Sequence, residues 1–422
     1  MILDPGAGWA ERRKGMRSKL SPQEKKWVLY DVGNSAFILL VATIIPIYFN
    51  SLAEAGGLSS VQYLAYWGYA ASAATLVVAL IGPLLGTVAD RRGRKKQLYF
   101  ATVLLGVLAC AALGWASSWL SFLAVFVLAK VGYSASLIFY DSMLGDITEH
   151  ERMDHVSSHG YAWGYLGSCL PFLICLVLVL GSGAIGISMG FAMTLAFIIT
   201  ALWWLGCSLP LMGCYRQQHY LEGDKSHLAQ LWHTIKEIGR DKKVLLFILA
   251  FFFYIDGVYT IIDMATAYGT ALGFDTTGLL LALLVTQVVA FPASIIIGRL
   301  SQKISTADLI SFCVLAYFGI AVFAMFMNSQ AHFWILAVAV GLFQGGIQAL
   351  SRSHFAKLIP PEKSGEYFGL LDICGKGASM LGTFTVSAIS QVTGSANLGV
   401  GAIAIFFLLG LALFRLSLRV KN

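Results

Sequence analysis

The sequence predicts an all-α membrane protein of twelve transmembrane helices in two six-helix, pseudo-symmetric bundles, and three observations carry that prediction. Of 422 residues, 58% are hydrophobic and only 12% charged, against roughly a quarter charged in soluble domains. A mean hydropathy of +0.75 over the whole chain leaves too little polar surface to wet several globules, and excludes disorder as well. Apolar stretches long enough for a bilayer core of about 30 Å, roughly 20 residues each, recur along the chain. Short polar breaks separate them, and the basic residues crowd into alternate breaks.

The twelve spans are read at 27–49, 63–89, 97–116, 119–144, 158–181, 187–211, 244–270, 276–300, 307–328, 331–355, 367–390 and 397–418. Residues 1–26 are charged and lack an apolar core, so they read as a tail rather than a cleaved signal. Of the 29 Lys and Arg, 27 fall in the tail, in alternate loops or at the C-terminus, all on one side; Lys130 and Lys376 lie inside spans. Because cytoplasmic loops retain basic residues, both termini are expected in the cytoplasm and the chain in an inner, cytoplasmic-type membrane. The net charge of +7 is thereby an orientation signal, and no nucleic-acid partner is expected. Seven cysteines without a CxxC pair read as free thiols, with no metal or disulfide scaffold.

The longest polar interval, 212–243, divides a bundle at 27–211 from one at 244–422. Within it Ser226 can cap a helix whose Leu228, Leu231, Trp232, Ile235 and Ile238 recur at helical spacing beside Lys236, Arg240, Lys242 and Lys243. Such a basic amphipathic helix suits the membrane plane. Corresponding points of the halves look alike, as parallel transporter repeats do. Tyr30-Asp31-Val32-Gly33 in span 1 is echoed by Tyr254-Ile255-Asp256-Gly257 in span 7, and Gly86 to Lys95 after span 2 by Gly298 to Lys303 after span 8.

Gly86 to Lys95 fits the GxxxDRxGRK loop of the major facilitator superfamily, between spans 2 and 3 as that family places it. Residues 30–37, 156–167, 256–262 and 344–353 resemble the branch that contains fungal vacuolar amino-acid effluxers of the autophagy pathway and their bacterial relatives. The resemblance runs over essentially the whole chain and implies the twelve-helix facilitator fold, alternating access and amino-acid efflux. Two departures stand out: Gln302 replaces the acidic residue of the second loop copy, and Asp141 follows Tyr140 where relatives tend to carry Asn.

Ionisable residues inside a bilayer are functional candidates by default, weighed against structural ion pairing. Asp31, Lys130, Asp141, Asp256, Asp263, Asp372 and Lys376 qualify. Lys130 stands about 11 residues into span 4 and Lys376 about 9 into span 11, which places both near the midplane at about 1.5 Å per residue. By the i, i+3, i+4 rule, Asp31 shares a face with Asn34 and Ser35, Asp256 with Tyr259 and Asp263, and Lys130 with Tyr133, Ser134 and Asp141. Span 10 presents Gln344, Gln348 and Arg352. The resemblance makes spans 1, 4, 7 and 10 the cavity-lining helices, so these stripes would face the substrate path. Lys suits a carboxylate, and Asp an ammonium or a transported proton. The bland alternative for Asp372 and Lys376, one turn apart, is mutual neutralisation within span 11; for Gln344 and Gln348 it is interhelical hydrogen bonding.

Gly86, Asp90, Arg91, Gly93, Arg94 and Lys95 suit a gate, since a carboxylate and cations on a glycine turn can bridge helix ends in one state and release them in another. Gly160 with Gly164, and Gly341 with Gly345, are small-xxx-small faces for close helix packing. Three catalytic look-alikes fail. The GxSxG at 186–190 opens an apolar helix instead of a strand-to-helix turn. Gly369 to Lys376 is one residue too long for a phosphate loop, and His150 to His155 one too long for HExxH. The sequence therefore predicts a monomeric secondary carrier, without cofactor or metal, that moves a small polar metabolite, amino acids first, with protons as the coupling ion. The rival readings are a carrier of amphipathic substrates such as lipids or drugs, and a non-transporting membrane enzyme or sensor.

Overall fold

The computed structural model describes residues 19–222 and 226–420. Arg12, Arg13, Lys14, Arg17, Lys225 and Lys421 lie outside the described residues, as does the Lys376 side chain. The fold is helical throughout: α1 Pro22–Ala42, α2 Ile44–Ala55, α3 Ser60–Ala89, α4 Arg94–Ala112, α5 Trp119–Ser142, α6 Met153–Leu180, α7 Met189–Cys214, α8 His227–Arg240, α9 Lys242–Ala271, α10 Thr276–Leu300, α11 Thr306–Ala324, α12 Gln330–Leu358, α13 Ser364–Thr393, α14 Ala396–Ala402 and α15 Ala404–Arg419. Span 1 is α1 plus α2, broken at Thr43, whose hydroxyl donates back to the Leu39 carbonyl at 2.6 Å. Span 12 is α14 plus α15. Eleven segments among the described residues are long and apolar enough to cross a membrane, and the 30-residue α13 completes twelve.

Local chemistry explains where these helices start. Each leaves its first amides without an intrahelical acceptor, and a short polar side chain supplies one. Ser21 opens α1 with a reciprocal capping box to Glu24, behind Pro22. Ser59 does the same for α3 with Gln62, and Asp275 accepts from Gly278 N at 2.8 Å to open α10. Ser226 stands at the N-cap of α8, yet its side chain makes no capping bond; the expected cap is absent there. Four of the seven cysteines are buried free thiols, while Cys207, Cys214 and Cys374 are only partly buried.

Within the first half α1 packs on α6 and α7, and α4 on α5; within the second α9 packs on α13 and α15, and α10 on α12. The halves meet along two symmetry-related seams, α3 against α13 and α6 against α10. Glycine sets the closeness of the first. A Cβ at Gly365 would lie 2.8 Å from the Gly86 carbonyl oxygen, and one at Gly369 would lie 3.0 Å from that of Gly82. Near-backbone contact of this kind is how helices associate where lipid competes equally for apolar surface.

Candidate functional site

At the end of the molecule that carries the Gly86–Lys95 turn, hereafter the loop end, polar side chains tie the halves together. Gly93 takes φ 74°, a left-handed conformation that favours glycine, and it turns the chain from α3 into α4. Asp90, fully buried, then faces the first turn of α13. Its Oδ1 accepts Gly365 N at 2.8 Å and its Oδ2 accepts Glu366 N at 2.9 Å. Asp90 is thus an N-cap supplied by one half to a helix of the other, where the positive end of the helix dipole favours a carboxylate. Lys95 Nζ stands 3.5 Å from Asp90 and donates to Ser364 Oγ at 2.7 Å, fully buried itself. Burial pushes the Asp90 carboxyl up to about 6, even though Lys95 and the two amides pull the other way.

Of the remaining turn residues, Arg91 Nη2 donates to Gln230 of α8 at 2.9 Å. Arg94 reaches only its own helix, at Gln97, so it takes no part in the bridge. The helix α8 turns polar Gln230 and Thr234 inward, where both donate to Glu366, and leaves Leu228, Trp232 and Ile235 exposed. A second tie joins α6 to α11 and α12, where Asp154 accepts Ser353 Oγ at 2.6 Å and Thr306 Oγ1 at 2.5 Å, and pairs with Lys357 at 2.7 Å.

Above these ties lies Arg352 of α12, 5% exposed. Its Nη1 stands 3.0 Å from Asp141 and 3.5 Å from Asp31, while Nε and Nη2 donate to the hydroxyl and carbonyl oxygens of Ser157 at 2.9 and 3.0 Å. The guanidinium also lies over the rings of Trp27 and Tyr161, at 4.6 and 4.5 Å. Asn34 Nδ2 lies 3.4 Å from Asp31 Oδ1, and Tyr140 OH donates to Asp31 Oδ2 at 2.7 Å. Gly160 allows this crowding: a Cβ there would come within 3.0 Å of Arg352 Nη2.

Arg352 forms the floor of a cavity of about 410 Å³ between the halves, lined by Asp31, Asn34, Lys130, Tyr133, Asp141, Tyr259, Asp263, Gln344, Gln348 and Asp372, with Gln287, Tyr161 and Tyr165. Lys130, Asp263, Gln287 and Gln344 also line a second, mostly apolar chamber of about 450 Å³ that reaches Thr43, Met327 and Phe333 near the far end. A waist therefore joins a charged chamber to an apolar one. At the waist Lys130 and Asp263 attract one another, and Gln344 donates to Gln287 at 3.3 Å.

The structure brings together every intramembrane candidate whose side chain is described except one. Asp256 is fully buried behind the cavity wall, where its Oδ1 accepts from Gly382 N at 3.0 Å and Thr260 Oγ1 at 3.2 Å. Its expected place on the cavity face with Tyr259 and Asp263 is corrected accordingly: α9 turns that position toward α13. Sequence reasoning passed over Trp27, Tyr140, Ser157, Tyr161, Asp154 and Glu366. A signal existed for the first four, since Trp27 is one turn before Asp31, Tyr161 one turn after Ser157, and Tyr140 adjoins Asp141.

Two helical bundles enclosing a charged central cavity, sealed at one end by cross-half ties, define a multi-pass membrane transporter of the major facilitator fold. Residues 22–422 match the family model described as "Vacuole effluxer Atg22 like", and the chain belongs to that family. It is 39% identical over 407 residues to the "Uncharacterized MFS-type transporter YxiO" of Bacillus subtilis (strain 168), covering 94% of this chain and 95% of the relative. "Autophagy-related protein 22" of Coccidioides immitis (strain RS) is 27% identical over 285 residues, 60% of this chain and 47% of that protein, so the match spans about half of the fungal relative. Among solved structures the fold is similar to the transporter FucP in its outward conformation (TM-score 0.72, 13% identity, 96% of this chain and all of that one). It is similar also to the human organic anion transporter MFSD10 (TM-score 0.68, 14% identity, 94% of this chain and all of that one).

Proposed function

We propose that the protein is a secondary carrier that alternates between two states, one of them with its cytoplasmic loop end tied closed, and that it exports small polar metabolites, amino acids first. One observation carries the reading: a mixed-charge cavity lies on the boundary between the halves, above ties that only a rocking motion would make and break. Lys130 offers an ammonium to a substrate carboxylate near the midplane, and Asp141 and Asp263 offer carboxylates to a substrate ammonium. The effluxer name of the family supports the outward direction, and the basic loop end supports cytoplasmic termini. The test is flux of radiolabelled amino acids in proteoliposomes with and without a pH gradient. Absence of flux for every amino acid refutes the reading. Asp31, Asp141 and Asp256 are the proton-coupling candidates; Asp256 is buried away from the cavity, so Asp256→Asn is expected to leave substrate binding intact and remove acceleration by the gradient.

A second reading has its own observation. The apolar chamber lined by Leu39, Trp67, Met264 and Phe333 suits the chain of an amphipathic substrate whose polar head reaches Lys130. Competition of lysolipid with amino-acid flux distinguishes the two.

A further inference from the structure

The guanidinium of Arg352 sits in a receptor that belongs entirely to the other half. Trp27 and Asp31 come from α1, Tyr140 and Asp141 from α5, and Ser157 and Tyr161 from α6; Arg352 alone comes from beyond the linker. That receptor holds its own shape. Trp27 stacks on Tyr140 with ring centroids 4.3 Å apart, Trp27 Nε1 donates to the Tyr140 carbonyl at 3.1 Å, and Tyr140 OH donates to Asp31 at 2.7 Å. None of these contacts needs Arg352. Aromatic faces and two carboxylates around one pocket are what binds a compact organic cation, and a cation is already there.

We infer that this pocket in the N-terminal half is a binding site for a small guanidinium or ammonium cation, filled by Arg352 while the loop end is closed and by the transported solute when it opens. The inference rests on the alternating reading, because only a parting of the halves withdraws α12 from α1, α5 and α6. Once Arg352 leaves, Asp31 and Asp141 remain as two neighbouring carboxylates whose mutual repulsion favours a countercharge. A solute with a cationic side chain, an ammonium or guanidinium that has no carboxylate beside it, supplies it. Closure then returns Arg352 to the pocket and pushes the solute up into the 410 Å³ cavity, toward the far end. Arg352 is in this sense a tethered competitor, and the competition couples release of the solute to closure of the loop end. A proton on Asp31 or Asp141 is the rival countercharge, and the test separates them.

Purified full-length wild type and Arg352→Ala are compared by thermal shift against methylguanidine, with leucine and glutamate as controls. The emptied pocket should take methylguanidine and raise the melting temperature of Arg352→Ala by about 3 °C or more at saturation. The wild type, in which Arg352 competes for the pocket, should shift distinctly less. Adding Asp141→Asn should weaken that binding at least about tenfold, as loss of a charge-assisted contact does. In wild-type proteoliposomes, excess arginine or lysine should lower exchange of any carried amino acid about tenfold, while excess glutamate should not. A folded Arg352→Ala indifferent to methylguanidine overturns the inference. So does leucine exchange that arginine fails to inhibit, a result that leaves the carrier reading standing and decides the matter even if Arg352→Ala does not fold; it also favours the proton. Binding of methylguanidine to Arg352→Ala without flux of any solute through wild type keeps the pocket and removes the carrier.

Discussion

Replacing Asp90 by Ala should open the loop end. The carboxylate makes two charge-assisted bonds, at 2.8 and 2.9 Å, to amides at the start of α13, and stands 3.5 Å from a Lys95 that is itself fully buried. The substitution strands two helix-terminal amides and an ammonium, but only in the closed state, because parting of the halves exposes all three groups to water. Breaking a buried pair by deleting one partner costs about 3–5 kcal/mol, and solvent entry plus the surviving bond to Ser364 discount this. About 3 kcal/mol remains as a shift of the closed-to-open balance, or roughly 100-fold at about 1.4 kcal/mol per decade. The reporter is Thr87→Cys on a background without native cysteines, since Thr87 is fully buried and follows Gly86, which lies against Gly365 on the α3–α13 seam. Its labelling by N-ethylmaleimide should quicken about 100-fold in the Asp90→Ala variant if the opening pre-equilibrium governs access. An unchanged labelling rate in a variant that still folds and inserts refutes the view that Asp90 holds the halves closed.

The same reporter reads a pH effect. The closed state raises the Asp90 carboxyl to about 6 through burial, whereas a solvated Asp titrates near 3.9. The closed state therefore binds the proton more tightly, its advantage is fully present below about 4, and it is lost as pH rises through about 6. Labelling of Thr87→Cys should slow between pH 7 and 5 after correction for reagent chemistry, and acceleration refutes the argument. Gln230→Ala with Thr234→Ala removes both α8 donors to Glu366; labelling should quicken, by about 30-fold if each bond contributes roughly 1 kcal/mol, and no change means α8 rides passively on α13. Lys130→Ala should weaken binding of a carboxylate-bearing substrate at least about tenfold with normal membrane insertion, and unaltered affinity removes Lys130 from the site.

Much of this architecture is written in local sequence. The length and spacing of apolar runs place the spans, because a bilayer imposes one length on all of them, and the Asp90 turn is legible because glycine and charge sit at fixed offsets. The intramembrane charges announce themselves for the same reason, as each is costly. What local sequence does not carry is which neighbour each face meets. Asp256 shares its stripe with Tyr259 and Asp263, yet it lies behind the wall, since a stripe two turns long drifts around the helix and a small rotation of α9 decides which end is wetted. Trp27, Tyr140 and Tyr161 look like ordinary core aromatics until Arg352, from a helix 321 residues away from Asp31 in sequence, arrives among them. Gln230 and Thr234 lie on the polar side of an amphipathic helix, which by itself reads as a solvated face; Glu366 makes it an interface.

The backbone approach of α3 to α13 has a practical corollary. Where Gly82 and Gly86 lie against Gly365 and Gly369, there is no side-chain layer to compress, so the seam cannot close by degrees. A single bulky residue at Gly365 would act as a doorstop, tolerated by each bundle in isolation and incompatible only with their meeting at that end. The glycine seam is thus a handle for trapping the conformer that opens at the loop end, and for raising binders or solving structures against it.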